Sequence, residues 1–175
     1  MVRMVTITSI IINNEVNAMS YQNINIQKKI ASINAKKMIE QYSSIELIDL
    51  EDYDSCWSEL FQYSLKKFRK IDSEPTFRKH IGNDSEDISW VENSLDFLKE
   101  KKEWFILVTN EPLPTWANVR VLNFTKAIEE FMTKQKEIDF IIADKSTGSI
   151  VQVFSEEREY EIHVGKCDIS NIKNS

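Results

Sequence analysis

Apolar residues in the first half of the chain recur at helical spacing. Over residues 26–42 they fall three or four positions apart, which predicts an amphipathic helix. The same one-face pattern over 57–68 predicts a second helix, with Asp54 or Ser55 as its N-cap. A third helix is predicted over 84–102, because carboxylates open this segment and lysines close it.

After residue 103 the pattern changes to that of β-strands. Residues 104–109 and 140–143 are continuously apolar, which predicts central strands that are buried on both faces. Between them, residues 118–122 alternate and predict a half-buried strand, and a helix is predicted over 125–135.

Two further strands are predicted near the C terminus, over 149–154 and 160–165. Their residues alternate, so Ile162 is expected to face the core while Glu161 and His163 face outward. The segment between the two strands suits a short hairpin turn.

These elements predict one α+β domain over residues 1–175. A helical N-terminal half is expected to pack on a mainly antiparallel C-terminal sheet, in the order strand–strand–helix–strand–strand–strand. Residues 1–20 are expected to form an extension or an edge strand, and 24–103 to be mainly helical. Residues 104–165 are expected to form the sheet with its one helix, and 166–175 a frayed tail.

Composition and charge exclude several kinds of function. A net charge of −6 disfavours a general nucleic-acid-binding protein, because phosphate contacts need clustered Lys and Arg. The three glycines, Gly82, Gly148 and Gly165, cannot form a glycine-rich phosphate loop. No apolar run reaches the length of a membrane-spanning helix.

The cysteines and the N-terminal residues indicate a cytoplasmic protein. Cys56 and Cys167 form no Cys-x-x-Cys pair, which predicts neither a metal site nor a disulfide framework, although a single bridge between them stays open. Residues 1–12 are apolar but lack the cleavage signal of a secreted protein, and Met19 is an alternative start.

Candidate catalytic groups are few. The chain has two histidines, His80 and His163, and His163 shares a strand face with Glu161. A histidine beside a carboxylate on a strand is typical of a solvent-facing or partner-facing pair, so no catalytic residue is assigned. The acidic segment 49–54 lacks the glycine and the terminal glutamate of a calcium loop, and neither a metal nor a cofactor is predicted.

Surface groups are the remaining candidates for function. Trp116 follows a loop stiffened by Pro112 and Pro114, where a tryptophan either packs onto the core or forms a binding contact, and packing is favoured. The acidic segments 49–54 and 156–161 either form ordinary solvated surface, which is favoured, or line one negative surface that attracts a basic partner.

One pattern runs through the last third of the chain: an aromatic-apolar strand, a short helix, a Phe-x-Ile-x-Asp-Lys strand, and a last strand with His before Gly. The matching residues are Phe140, Ile142, Asp144, Lys145, His163 and Gly165. This pattern resembles small bacterial α+β proteins, among them immunity proteins of toxin systems such as contact-dependent growth inhibition.

The resemblance implies that the protein neutralises a cognate toxin domain, such as a nuclease, by tight one-to-one binding, and that it is a monomer or weak dimer without enzyme activity. Acidic and aromatic groups would occlude a basic face of the toxin. The expected contact residues are Trp116, Glu156, Glu157, Glu159, Glu161 and His163.

Two alternatives stay open. One is a small hydrolase that uses His163 or His80 with a carboxylate, and the other is a phage or mobile-element accessory protein that binds a host factor. An enzyme needs a concave pocket in which a histidine has a carboxylate within hydrogen-bond reach. An immunity protein needs instead an exposed acidic patch or an open sheet edge, without such a pocket.

Overall fold

Five α-helices and a seven-stranded sheet make up the part of the chain that the structure describes. The computed structural model describes the backbone of residues 4–70, 72–135 and 138–173, and the side chains of these residues from 22 to 172. Within these ranges the protein has the predicted α+β fold.

Three of the helices begin where the sequence supplies an N-cap. The bounds are α1 Met4–Ile39, α2 Cys56–Phe68, α3 Asp84–Ser94, a 3-10 turn at Asp96–Leu98, α4 Phe124–Thr133 and α5 Ser170–Lys173. The side chains of Ser55, Asn83 and Asn123 each accept a hydrogen bond from a backbone N–H in the first turn of α2, α3 and α4. The predicted helices of the chain are thereby confirmed, with α3 shorter than expected.

All neighbouring strands of the sheet are antiparallel. The strands are β1 Ile45–Glu51, β2 Phe77–His80, β3 Glu103–Thr109, β4 Thr115–Val121, β5 Asp139–Asp144, β6 Ser149–Glu156 and β7 Glu159–Lys166. Their order across the sheet is β1-β4-β3-β5-β6-β7-β2. The two continuously apolar segments form β3 and β5, which pair with each other at the middle of the sheet, as predicted.

Helices cover the central strands on both faces. On one face α1, α3 and α4 bury Ile39, Val91 and Ile128 against the sheet. On the other face α2 buries Phe61 and Leu65 over the central strands in a second apolar cluster. Both faces of β3 and β5 are therefore shielded from water, which explains why these strands do not alternate between apolar and polar residues.

A single carboxylate fixes the loop that joins α1 to β1. Glu130 of α4 is 6% exposed and accepts hydrogen bonds from the backbone N–H groups of Ser43 and Ser44 at 3.0 Å. Both serine hydroxyls and Lys134 also donate to it. Burial alone would raise the pKa of Glu130, but these hydrogen bonds outweigh burial and hold it well below its usual range.

The N-terminal half differs from the prediction in two places. Residues 4–20 belong to α1, so the predicted edge strand is wrong, and residues 1–3 lie outside the described residues. The helical half also supplies both edges of the sheet, because β1 pairs with β4 and β2 pairs with β7. The strand β2 falls in a segment where the sequence predicts a connecting loop.

The predicted frayed tail is wrong as far as the structure describes it. β7 continues to Lys166, and Cys167 is 7% exposed within the cluster under α2. A short helix, α5, then follows over Ser170–Lys173. The backbone N–H of Cys167 donates to the carbonyl of Gly148 at 2.8 Å and the side chain of Ile169 lies next to the same glycine, which ties this end to the β5–β6 turn.

Candidate functional site

A cleft of about 700 Å³ opens on the α2 side of the sheet, at the C-terminal end of that helix. Its walls include the end of α2 and the loop after it, together with parts of β2, β5, β6 and β7. Charged side chains of both signs line it: Arg69, Lys70, Arg78, Asp139, Glu156 and Glu161. Such a cleft suits a polar ligand.

His163 of β7 lies buried against this cleft and is only 3% exposed. Its ring packs between Phe68, at 5.4 Å between centroids, and Phe154, at 5.6 Å and nearly parallel. The prediction that His163 faces solvent is therefore wrong. It lies on the sheet face opposite Ile162, as the alternation requires, but the end of α2 covers that face.

Both ring nitrogens of His163 have polar neighbours. The hydroxyl of Ser73, in the loop after α2, lies 3.3 Å from Nδ1. A carboxylate oxygen of Glu161, from the same strand, lies 3.5 Å from Nε2. We assign the ring proton to Nε2, because this tautomer lets Ser73 donate to Nδ1 and places the proton on the nitrogen nearer the carboxylate.

Arg78 of the edge strand β2 holds the other oxygen of Glu161. Its Nε and Nη2 lie 2.9 and 2.7 Å from Oε1, so this one oxygen accepts from both guanidinium nitrogens. Hydrogen bonding to Glu161 and its charge raise the pKa of Arg78 above its ordinary value. Ser73, His163, Glu161 and Arg78 thus form one continuous polar chain along the cleft.

A buried amide beside this chain has an unused acceptor. Gln152 of β6 stands directly opposite His163 in the sheet register and is 5% exposed. Its amide nitrogen donates to Asp139 at 2.8 Å. Among the described residues no donor reaches its Oε1, so a ligand that enters the cleft would meet a free acceptor at this point.

Gly165 leaves the space that the ring of Phe68 occupies beside His163. A Cβ built at this position would lie 2.8 Å from Cζ of Phe68, closer than side chains tolerate. Because glycine has no Cβ, the Phe68 ring can pack next to His163. The His-x-Gly pattern of the last strand therefore has a packing reason.

The predicted contact glutamates gather at one end of the cleft. Glu156 and Glu157 are exposed at the tip of the β6–β7 hairpin. Glu159 begins β7 and lies 3.4 Å from Arg78 and 3.3 Å from the exposed His80. Together with Glu161 they form an acidic rim next to His163.

Trp116 lies elsewhere and is fully buried. It belongs to β4 rather than to the proline-rich loop, and α2 covers it. Its ring stacks on Phe105 at 4.7 Å and tilts against Phe61 at 6.0 Å. Of the two roles open to it, packing is the one that the structure shows, and a surface contact is excluded by its 0% exposure.

The two acidic segments do not form one surface. Segment 49–54 belongs to β1 and the turn after it, whereas 156–161 belongs to the β6–β7 hairpin. Five strand spacings separate β1 from β7 in the sheet order, which is about 24 Å. Lys28 and Lys145 also pair with carboxylates of the first segment.

Other site chemistry is limited in the described part of the chain. No three side chains of His, Cys, Asp or Glu meet there in a way that could hold a metal ion. Cys56 is exposed, Cys167 is buried and both are free thiols. Over the same residues, no helix combines the length and the apolar character that crossing a membrane requires.

Sequence reasoning missed two members of the polar chain, Ser73 and Arg78. Both lie in the segment between α2 and α3, which reads as a loop. One signal was present in the sequence: the basic residues of β2 match the acidic residues of β7, and oppositely charged cross-strand pairs stabilise neighbouring strands. In the structure Arg78 stands opposite Glu161, and His80 opposite Glu159.

Comparisons of the chain with protein-family models, with curated proteins and with solved structures found no match.

Proposed function

We propose that the protein is a small hydrolase whose site is the His163 cleft. One observation carries the proposal: a buried histidine has a hydroxyl at Nδ1 and a carboxylate at Nε2, next to an open cleft. A nucleophile, a base and a group that orients the base are what acyl transfer requires. The reaction we assign is hydrolysis of a carboxylic ester.

Ser73 acts as the nucleophile and His163 as the general base. Nδ1 takes the hydroxyl proton while Oγ attacks the ester carbonyl, and the same proton then passes to the leaving alcohol. Water attacks the resulting acyl-serine, with His163 accepting its proton and returning it to Oγ, which releases the carboxylic acid. The contact of 3.3 Å is long for proton transfer, and the scheme requires it to shorten in the complex with substrate.

Glu161 and Arg78 are positioning residues in this scheme. Glu161 fixes the ring tautomer and stabilises the imidazolium that forms when Ser73 loses its proton. Arg78 holds the carboxylate in place through two contacts to Oε1, at 2.7 and 2.9 Å. Arg69 and Lys70 line the same cleft as Ser73 and supply the positive charge that a developing oxyanion needs.

Hydrolysis of p-nitrophenyl esters by the purified protein tests this function. We expect Ser73→Ala to lower kcat/KM by about a hundredfold or more, because the nucleophile is lost while binding groups remain. Ser155→Ala is the matched control, since Ser155 lines the same cleft and contacts no ring nitrogen of His163; it should keep wild-type rates. Equal rates for the wild type and Ser73→Ala would exclude the assignment.

A second candidate is neutralisation of a basic toxin domain in the cytoplasm, as the resemblance of the last third implies. The exposed carboxylates of Glu156 and Glu157 at the hairpin tip favour it, because they protrude beside a concave surface. Such groups raise association rates with a basic partner. Around them Arg78 and Arg158 offset part of the negative charge.

Survival of cells that express the product of a neighbouring toxin gene tests this candidate. The variant Glu156→Lys/Glu157→Lys should protect less than the wild type, whereas Ser73→Ala should protect fully. Full protection by the charge-reversed variant would count against binding through the hairpin. Loss of ester hydrolysis with protection intact in Ser73→Ala would separate the two functions.

A further inference from the structure

The floor of the His163 cleft is formed by side chains of neighbouring strands. Gln152 of β6 stands opposite His163 of β7 and opposite Ile141 of β5 in the sheet register. Side chains of residues directly opposite each other point to the same face of a sheet, with their Cβ atoms about 5 Å apart. Gln152 therefore lies beside the imidazole of His163, on the face where the cleft opens.

A second row of side chains continues this floor. Asp139 of β5 stands opposite Phe154 of β6, which in turn stands opposite Glu161 of β7. The ring of Phe154 stacks on that of His163 at 5.6 Å between centroids, and the carboxylate of Asp139 accepts the amide nitrogen of Gln152 at 2.8 Å. The side chain of Gln152 is thus fixed at its nitrogen by Asp139 and neighbours His163.

The oxygen of this fixed amide is an acceptor without a protein donor. Gln152 is 5% exposed, and among the described residues no donor reaches its Oε1. Exchanging the amide oxygen and nitrogen would place Oε1 against the carboxylate of Asp139, so the hydrogen bond to Asp139 fixes which atom is which. Because buried polar atoms are normally paired, this oxygen points to a donor on the molecule that the cleft binds.

The charges of the cleft favour an uncharged donor. Among the described residues that line it, three cations face three carboxylates: Arg69, Lys70, Arg78, Asp139, Glu156 and Glu161. An ammonium group would gain no net attraction from this balanced set and would lose its hydration on burial. A neutral N–H pairs with the carboxamide oxygen of Gln152 without that cost.

We propose that the cleft selects esters of N-acylated amino acids and that Gln152 recognises them. Its Oε1 accepts the N–H beside the ester carbonyl while that carbonyl lies at Ser73 and His163. The nitrogen of such an ester is separated from the carbonyl carbon by one carbon atom, so both groups fit within the spacing of about 5 Å between neighbouring side chains. This inference rests on the hydrolytic function proposed above and names its substrate class.

Two p-nitrophenyl esters of nearly the same shape test the substrate class. The acyl groups are those of N-acetylglycine and of 4-oxopentanoic acid, which has a methylene in place of the N–H. The ratio of their kcat/KM values is divided by the ratio of their uncatalysed hydrolysis rates, which removes the difference in chemical reactivity. We expect this corrected ratio to favour the N-acetylglycine ester about ten- to hundredfold, because the other ester leaves Oε1 buried and unpaired.

Substitution of Gln152 tests the residue that carries the selectivity. Gln152→Leu should abolish the corrected preference, because leucine fills similar space but accepts no hydrogen bond. Ser155→Ala, which changes another polar side chain of the same cleft, should keep the wild-type preference. Equal corrected rates for the two esters in the wild type, or a preference that persists in Gln152→Leu, would overturn the assignment. The wild-type comparison needs no substitution, so it holds even if Gln152→Leu does not fold.

The same measurements separate this inference from the hydrolytic function itself. Hydrolysis of both esters that requires Ser73 but shows no corrected preference would exclude the substrate class and leave the hydrolase standing. Failure of the wild type to hydrolyse either ester would exclude both.

Discussion

Replacing Glu130 by alanine is expected to lower the free energy of unfolding by about 3–5 kcal/mol. The carboxylate accepts the backbone N–H of Ser43 and Ser44, both hydroxyls and Lys134 at 2.7 Å. Ser44 is 1% exposed, so its N–H would be left buried without an acceptor. The loop between α1 and β1 would also lose its attachment to α4. Urea unfolding followed by tryptophan fluorescence measures the change.

Glu129→Ala is the matched control for this variant. Glu129 precedes Glu130 in α4 but is exposed, and we expect its removal to change the free energy of unfolding by less than about 0.5 kcal/mol. A Glu130→Ala variant within 1 kcal/mol of the wild type would contradict this account of the loop, since ~1 kcal/mol is the change that an ordinary substitution produces.

The contribution of Glu130 also depends on pH in a defined direction. Its pKa is lower in the folded protein than in the unfolded chain, where a glutamate titrates at about 4.3. The stabilisation is therefore complete above the unfolded pKa and is lost as pH falls below it toward the folded pKa. The difference in unfolding free energy between the wild type and Glu130→Gln should shrink as pH is lowered through this range. A difference that grew on acidification would have the wrong sign.

Trp116→Ala is expected to lower the free energy of unfolding by about 3–5 kcal/mol. Trp116 is 0% exposed and stacks on Phe105 at 4.7 Å beneath α2. Alanine would leave a cavity between α2 and the sheet that neighbouring aromatic rings fill only in part. Chemical denaturation gives the value directly, and a loss below about 1 kcal/mol would mean that this cluster does not hold α2 in place.

Trp116→Phe separates the packing of the ring from its polar atom. The indole N–H is buried and has no acceptor among the described residues, so it is desolvated without compensation. Phenylalanine removes that N–H along with part of the ring, and the two effects oppose each other. We expect a net loss of about 1 kcal/mol or less. A loss as large as that of Trp116→Ala would show that the indole N–H is satisfied in solution.

Local patterns were enough to predict the C-terminal half of the fold. Exposing either face of the apolar segments that form β3 and β5 to water would be unfavourable. Their composition alone therefore predicts that these strands are central in the sheet. The hairpin of β6 and β7 is a contact between neighbours in the sequence, and its alternation identified Ile162 as a core residue.

Contacts between segments that are distant in the sequence could not be predicted from local patterns. The side chain of His163 is shielded from water in part because Phe68, which is distant in the sequence, packs over its ring at 5.4 Å between centroids. In the same way β2 forms because it pairs with the edge of β7, and the alternation of its four residues does not predict a strand by itself. Ser73 therefore had no visible link to His163 before the fold brought them together.

The most direct test of the hydrolase is covalent labelling of Ser73. A fluorophosphonate ester reacts with a serine that an adjacent histidine activates, losing fluoride and leaving a phosphonylated Oγ. Peptide mass spectrometry after exposure of the native protein should find the adduct on Ser73 and not on Ser155, and His163→Phe should abolish it while leaving the aromatic stack intact. An unlabelled Ser73, or labelling that persists in His163→Phe, would contradict a catalytic role for this cleft.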